Sequence, residues 1–365
     1  MKMNFIDLKR QYELYKAEID GAVAEVVSSA RYIMGPQVFE MERALGEFVG
    51  VEHVISCSSG TDALLLALMA LGVGPGDEVI TTPFTFIATA ETVAFLGAKP
   101  VFVDVDPLTF NMDPSLVEGA ITHRTKGIIA VSLFGQCPEF DELLEIASRR
   151  GLFLLEDGAQ SFGARYKGRP SCGITEVAIT SFFPAKPLGC FGDGGAVFTS
   201  DHGIADRVRM LRNHGQRKRY LHHAIGLNGR MDTVQAAVVL VKLGHFREEI
   251  ELRQQKARIY DDGLSGLVKT PTVLPHNLSV YAQYTVRAEA RDQLKEHLES
   301  QGIPIAVHYP IPLHLQPCFG YLGYQKGDFP HAEKAAQEVM SLPMHPYLAD
   351  SEQEMVIEAV RGFYG

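Results

Sequence analysis

Over the first fifty positions apolar residues return at helical spacing, and then the period changes. Tyr12, Tyr15, Ile19, Val23 and Val26 fall on one stripe and predict an amphipathic helix over 9–29; after the loop ARYIMGPQ a second helix is expected over 38–49. From residue 53 onward short apolar runs alternate with amphipathic segments. HVISCSSGTDALLLALMALGVGPGDEVITT reads as a strand, a glycine turn, an apolar helix closed by Gly72, a Gly-Pro loop and a second strand, which is one βαβ-like unit. The alternation continues through a helix in TFIATAETVAFLG, a strand in KPVFVDVD, a helix near DPSLVEGAI, a strand in GIIAVSLF, a helix in FDELLEIASRRG and a strand in LFLLEDGAQ. Strands in VAITSFF and GAVFTS extend the sheet, so the fold class expected is α/β with a mixed, mostly parallel sheet.

A long helix from Thr233 to about Leu264 leads away from that sheet. Beyond it come an extended segment YAQYTVRA, a helix in RDQLKEHLESQG, a strand-like IPIAVHYP and a last helix after Ala349, which together predict a smaller α+β unit. No repeat or low-complexity tract marks a linker. The expected division is therefore N-terminal helices with a large α/β domain over 1–245, and a small C-terminal domain over 246–365.

The composition fits this picture and narrows the function. In 365 residues, 46% are hydrophobic and 21% charged, the mix of a globular enzyme. A net charge of −10 argues against nucleic-acid or membrane-surface binding, both of which need a basic face. Cys57, Cys137, Cys172, Cys190 and Cys318 form no C-x-x-C pair and no spaced Cys/His set, so no metal site and no disulfide framework is expected. The N-terminal segment is charged throughout and no apolar run approaches membrane-spanning length, which places the expected location in the cytoplasm.

Three short stretches carry candidate chemistry. In SFFPAKPLGCFGDGGAVFT one lysine, Lys186, stands between two prolines among apolar residues and glycines. Lost hydration lowers the pKa of such an amine and suits it to form a Schiff base; the alternative is a surface turn with the head in water. In CSSGTDALLL the turn around Gly60 and Thr61 opens a helix after a strand, where free amides and the helix dipole attract a phosphate, unless Ser59 or Thr61 only caps the helix. In LFLLEDGAQSFGA a strand ends on Glu156 and Asp157, with Gln160 beyond. A carboxylate at a strand's end can keep a pyridine nitrogen protonated, or can be solvated or ion-paired. Phosphate turn, strand-end acid and desolvated lysine are, in that order, the attachments pyridoxal phosphate needs. Asn228 and Arg230 sit in a loop before a helix, and an arginine there can grip a carboxylate or phosphate. Arg217, Lys218, Arg219, His222 and His223 read first as a solvated charged face. His308 and Tyr309 can donate to an anionic ligand or serve the core.

These residues resemble the DegT/DnrJ/EryC1/StrS group of nucleotide-sugar aminotransferases, of pyridoxal phosphate fold type I. The similarity runs nearly end to end, from FIDLKRQY and YIMGPQVFEMERALGEFVG through SSGTDAL, PGDEVITTPFTFIATA, EDGAQSFGA, SFFPAKPLGCFGDGGA and RMDTVQAA to HYPIPLHLQP. The resemblance implies pyridoxal 5'-phosphate as cofactor, with Lys186 as its covalent anchor and later proton carrier. It implies Asp157 at the pyridine nitrogen, Gln160 at the ring hydroxyl and Phe86 on the ring face. Gly60, Thr61 and Ser181 would hold the phosphate, with Asn228 arriving from a second subunit of a homodimer. Arg230 of that same loop would face a sugar carboxylate, and His308, Tyr309, Tyr32 and Ala30 would contact the sugar nucleotide. Residue 185 is often Ser, Thr or Gly in relatives; Ala185 here lacks the hydroxyl, so the resemblance leaves it at most a backbone contact to the substrate. VSLFGQCPEFD, SVYAQYTVR, AVHYPIPLHLQP and VMSLPMHPYL are most similar to members that aminate a 3-keto UDP-sugar acid, UDP-2-acetamido-2-deoxy-3-oxo-glucuronate, from L-glutamate for bacterial surface polysaccharide (O-antigen). The alternatives are a different sugar, such as a dTDP-3-ketohexose, or a catalytically silent sugar-nucleotide-binding regulator.

Overall fold

The computed structural model describes residues 3–365. In chain order, two helices, α1 (Leu8–Ser29) and α2 (Pro36–Val49), precede the alternating region. It runs β1 (His53–Cys57), α3 (Gly60–Ala70), β2 (Glu78–Thr81), α4 (Ala88–Phe95), β3 (Lys99–Phe102), α5 (Val117–Ala120), β4 (Thr125–Val131), α6 (Phe140–Arg150) and β5 (Phe153–Asp157). A small hairpin, β6 (Arg165–Tyr166) and β7 (Arg169–Pro170), leads to β8 (Val177–Ser181), β9 (Gly195–Thr199) and α7 (His202–Leu211). A second hairpin, β10 (Gln216–Lys218) and β11 (Leu221–His222), precedes α8 (Thr233–Leu264), which carries the chain unbroken across residue 245. The remainder comprises β12 (Asn277–Leu278), β13 (Tyr284–Arg287), α9 (Arg291–Ser300), α10 (Pro330–Glu338), β14 (Val339–Leu342) and α11 (Asp350–Tyr364).

The main sheet has seven strands in the order β1-β9-β8-β5-β4-β2-β3. Only β9 runs against the others, pairing antiparallel with both β1 and β8. The expected mostly parallel α/β sheet is thus observed. Its strands are apolar on both faces because helices cover both. Neighbouring residues enter opposite cores, as the pleat requires: Val79, Ile129 and Leu155 pack with Leu64, Leu68 and Val208 of α3 and α7. Ile80, Ile128 and Leu154 pack instead with Phe140 and Leu143 of α6. A separate core joins Tyr260 and Leu264 to Tyr284, Leu294, Leu342 and Val360.

Two expectations need correction, one in the C-terminal part and one at the entry to α4. IPIAVHYP is not a strand: it makes a single bridge, Ala306 to Ser341. Pro304 and Pro310 carry no N–H and cannot continue a ladder. The strand that pairs with β13 is β14, from Arg287↔Val339 to Tyr284↔Leu342. The helix expected in TFIATAETVAFLG begins only at Ala88, so Thr85, Phe86 and Ile87 form the turn that enters it.

Candidate active site

Since all strands but β9 share one direction, their carboxyl ends open on one edge of the sheet. The loop after β1, the last residue of β5 and the loop after β8 meet there. After β1, Ser59 accepts a hydrogen bond from the Asp62 amide at 3.0 Å and caps α3. The amides of Gly60 and Thr61 have no acceptor among the described residues. Capping and anion binding therefore coexist at this turn: the cap uses one free donor and leaves two at the positive end of the helix. Gly60 has to be glycine, because a Cβ would lie 2.7 Å from the Cβ of Ser181 on β8. That close approach puts the Ser181 side chain beside the free amides.

β5 ends with two carboxylates on opposite faces. Asp157 is 5% exposed and faces the crevice. Thr89 Oγ1 donates to its Oδ2 at 2.7 Å and the Ala159 amide to its Oδ1 at 3.2 Å. Burial raises its carboxyl above the ordinary range, opposed by these two donors and by Lys186. Glu156 points the other way and is fully buried. It accepts from Ser132 at 2.8 Å, Ser171 at 2.6 Å and the Cys172 amide at 2.8 Å, and burial likewise raises its carboxyl. Both acids are buried, and neither forms a salt bridge among the described residues.

Lys186 sits in the loop between β8 and β9, which closes on itself through Lys186 N to Phe183 O at 2.8 Å and Cys190 N to Phe182 O at 2.7 Å. Burial lowers the pKa of its amine, and the carboxylate of Asp157 is the one charge that opposes the shift. The amine makes no hydrogen bond among the described residues. A lysine held this way reaches its neutral, nucleophilic form more easily than one in water.

Around this pair stand the other residues singled out by the sequence. Gln160 accepts from the Phe134 amide at 2.9 Å and donates to the Tyr309 hydroxyl at 3.1 Å. Burial raises the Tyr309 phenol, with Asp157 adding to the shift. His308 lies within 3.1 Å of the Ser341 hydroxyl, and burial, then the nearby Lys186, lowers its pKa, which keeps the ring neutral. Phe86 is 54% exposed, its ring centroid 6.3 Å from that of Tyr309. Ala185 is half-buried, next to Lys186.

A second group of expected residues lies apart within this chain. Ala30 ends α1 in the left-handed region at φ 53°, and the Tyr32 carbonyl accepts from the Thr233 amide at 2.9 Å. Both line an open cleft of about 860 Å³ that also includes Phe39. Asn228 is exposed, while Arg230 donates to Asn213 Oδ1 at 2.5 Å and keeps its buried Nε without a partner. Neither bonds to Gly60, Asp157, Gln160, Ser181 or Lys186 within the chain.

Thr89 is the functional residue that sequence reasoning missed. Its only signal was a place four residues after Thr85 at the start of a helix, and the two hydroxyls do lie 3.3 Å apart. The structure also gathers Glu52, His53 and His202, which no spacing suggested as a cluster. There Arg209, which can only donate, lies 3.4 Å from His53 Nδ1, so His53 Nε2 carries the proton and faces His202 Nδ1 at 2.9 Å.

The residues present fit pyridoxal phosphate. Two free amides and a hydroxyl beside an obligatory glycine suit a phosphate, the buried carboxylate suits a ring nitrogen, and the unbonded lysine amine suits an aldehyde. Comparison with known proteins agrees. The model of the DegT/DnrJ/EryC1/StrS aminotransferase family matches residues 13–361. The UDP-2-acetamido-2-deoxy-3-oxo-D-glucuronate aminotransferase of Pseudomonas aeruginosa is 54% identical over 98% of this chain and 99% of its own. A DegT DnrJ EryC1 StrS aminotransferase from Brucella abortus superimposes with a TM-score of 0.96 at 45% identity, covering 100% of both chains. NtdA from Bacillus subtilis, solved with the cofactor PMP bound, superimposes at 0.91 with 30% identity, over 99% of this chain and 85% of that one.

Proposed function

The chain belongs to the DegT/DnrJ/EryC1/StrS aminotransferase family, and from that premise we propose that it transfers an amino group from L-glutamate to UDP-2-acetamido-2-deoxy-3-oxo-glucuronate. The enzyme is a pyridoxal phosphate-dependent aminotransferase. When bound, that cofactor supplies an electron sink and carries the amino group between donor and acceptor. The observation that carries the reading is the pairing of a desolvated, unbonded Lys186 with a buried Asp157 at the carboxyl edge of the sheet. The 54% identity to the Pseudomonas aeruginosa enzyme supports the choice of sugar.

Each residue has a defined task in this proposal. The amides of Gly60 and Thr61, with the Ser181 hydroxyl, bind phosphate oxygens by charge-assisted hydrogen bonds. Asp157 holds a proton on the ring nitrogen, since a buried carboxylate interacts far more strongly with a cation than an exposed one does. Gln160, through its side-chain amide, and Phe86, through its apolar ring, would help to hold the cofactor ring. Lys186 Nζ would hold the cofactor and would take and return a proton as general base and acid, the work of an amine whose pKa lies below its usual range. His308, neutral, and Tyr309, protonated, supply uncharged hydrogen bonds to the sugar nucleotide.

The same proposal takes the active unit as a homodimer in which Asn228 and Arg230 complete the partner's site. An exposed Asn228 and a buried Arg230 Nε without an acceptor support that arrangement, with Arg230 aimed at the sugar carboxylate. Ala30, Tyr32 and Ala185 border the sugar-nucleotide path. A small C-terminal domain over 246–365 is supported by the separate core around Tyr284 and Leu342. No helix among the described residues is long and apolar enough to cross a membrane; we place the reaction in the cytoplasm, in the supply of surface polysaccharide.

The test adds glutamate to cofactor-loaded protein, follows the cofactor absorbance, and then asks which ketosugar restores the starting spectrum. Recovery with the acidic UDP-sugar, and loss of that preference in Arg230→Ala, is expected. Recovery with a dTDP-3-ketohexose instead, or unchanged selectivity in the variant, refutes the sugar assignment. A spectrum that responds to no amino acid refutes transamination.

A further inference from the structure

α8 presents Gln235, Lys242, Glu249 and Lys256 at seven-residue spacing, so all four lie on one face two turns apart. This face forms a polar seam. Gln235 Oε1 accepts from the Phe191 amide at 2.8 Å, and Lys242 Nζ donates to the Gly189 carbonyl at 2.8 Å. Further along, Glu249 accepts from Gln11 at 2.8 Å and Tyr347 at 2.9 Å, and Lys256 meets Asp350 at 2.6 Å.

Lys242 is the unusual member. It is 2% exposed, forms no salt bridge among the described residues, and stands 4.7 Å above the face of Phe191. A buried ammonium is costly, and a carbonyl with one aromatic face is modest compensation. Its two neighbours, Gly189 and Phe191, belong to the loop that carries Lys186. Gly189 has to be glycine, since a Cβ would come within 2.5 Å of the Pro184 carbonyl. The turn is therefore folded tightly on itself and tied to α8 at positions 189 and 191.

We infer that Lys242 is a positioning residue for Lys186: with Gln235 it clamps the 182–192 loop to α8 and so fixes where the Lys186 amine stands relative to Asp157. The inference rests on the reading of Lys186 as the reactive amine. Burial pushes the Lys242 amine down to about 8, against the pull of Glu249 on the same helix and Cys190 on the loop. Glu249 is itself held by Tyr15 of α1 and by Tyr347. As pH rises through that value the charged clamp weakens, although the cost of burying the charge is relieved at the same time. Positioning and global stability thus move in opposite directions.

The experiment compares cofactor-loaded Lys242→Met and Lys242→Arg with the wild type, measuring the glutamate half-reaction and cofactor release from about pH 6.5 to 9.5. Lys242→Met should lower kcat of the half-reaction by about tenfold to a hundredfold, the ratio set by losing one charged hydrogen bond, with KM for glutamate within about twofold. Cofactor release from the wild type should accelerate with a midpoint near 8, and in Lys242→Arg that step should vanish because the guanidinium stays charged. A Lys242→Met enzyme with unchanged kcat, or a release profile identical in wild type and Lys242→Arg, overturns the inference. If Lys242→Met does not fold, the arginine profile decides alone. Borohydride reduction and peptide mapping of the wild type test Lys186 independently, so failure of the clamp and failure of the underlying reading are told apart.

Discussion

Thr89→Val removes a single oxygen beneath the candidate site. Thr89 is fully buried, its hydroxyl 2.7 Å from Asp157 Oδ2, and valine keeps its volume. Asp157 then retains only the Ala159 amide, at 3.2 Å. A hydrogen bond to a charged group contributes a net ~1.5–3 kcal/mol, so the carboxylate form loses about that much. At 1.36 kcal/mol per decade this is about a tenfold to 150-fold weaker hold on a cationic ring nitrogen. The sign with pH follows from linkage. Burial already raises the Asp157 carboxyl, so the folded chain binds this proton more tightly than the unfolded one; the group favours folding most at low pH, and that contribution is lost as pH rises through its folded value. Thr89 opposes the rise by supporting the charged form. Removing it should cost stability near pH 8, and the deficit should shrink on acidification. Urea unfolding of apoprotein at about pH 8 and pH 5 measures the first effect, and stopped-flow absorbance of the half-reaction with amino donor measures the second. A variant that is uniformly destabilised at both pH values, with an unchanged half-reaction rate, would refute the assignment of Thr89 to Asp157.

Three further outcomes follow from the same geometry. Gly60→Ala sets a Cβ against Ser181 and should cost ~1–3 kcal/mol of apoprotein stability together with a clear loss of pyridoxal phosphate affinity, read by fluorescence titration; unchanged affinity would show that the turn does not cradle phosphate. Glu156→Leu strands the Ser132 hydroxyl and the Cys172 amide, while Ser171 keeps its bond to Ser161, at ~1–3 kcal/mol for each buried group left unpaired, a loss that urea denaturation resolves and that a fully stable variant would contradict. Lys186→Met removes a half-buried amine whose folded pKa lies below its unfolded one, so apoprotein should melt higher at neutral pH, with the gain fading as pH rises toward the ordinary lysine range; a lower melting temperature at pH 7 would mean that the lysine is not held at a cost.

The α/β alternation, the bounds of α8 and the three stretches around Gly60, Asp157 and Lys186 were legible in the residues themselves. Each rests on local information: hydrophobic period, a glycine at a turn, an acid at the end of an apolar run, a lysine among prolines. What each acid touches was not legible. Glu156 and Asp157 are adjacent and chemically alike, yet the pleat sends one to buried donors on Ser132, Ser161, Ser171 and Cys172 behind the sheet and the other to Thr89 and the lysine. The pairing of Val339–Leu342 with Tyr284–Arg287 joins segments some fifty residues apart, which no local period encodes. IPIAVHYP has a strand's composition, but its prolines leave it one bridge.

The sequence by itself determined which elements form and which side chains have the right chemistry, because backbone preference and side-chain ionisation are properties of short stretches. Only the tertiary structure decided which of those groups become neighbours and lose their water. Desolvation depends on what the rest of the chain packs around a residue, as the buried Lys242 on an otherwise ordinary helix makes plain.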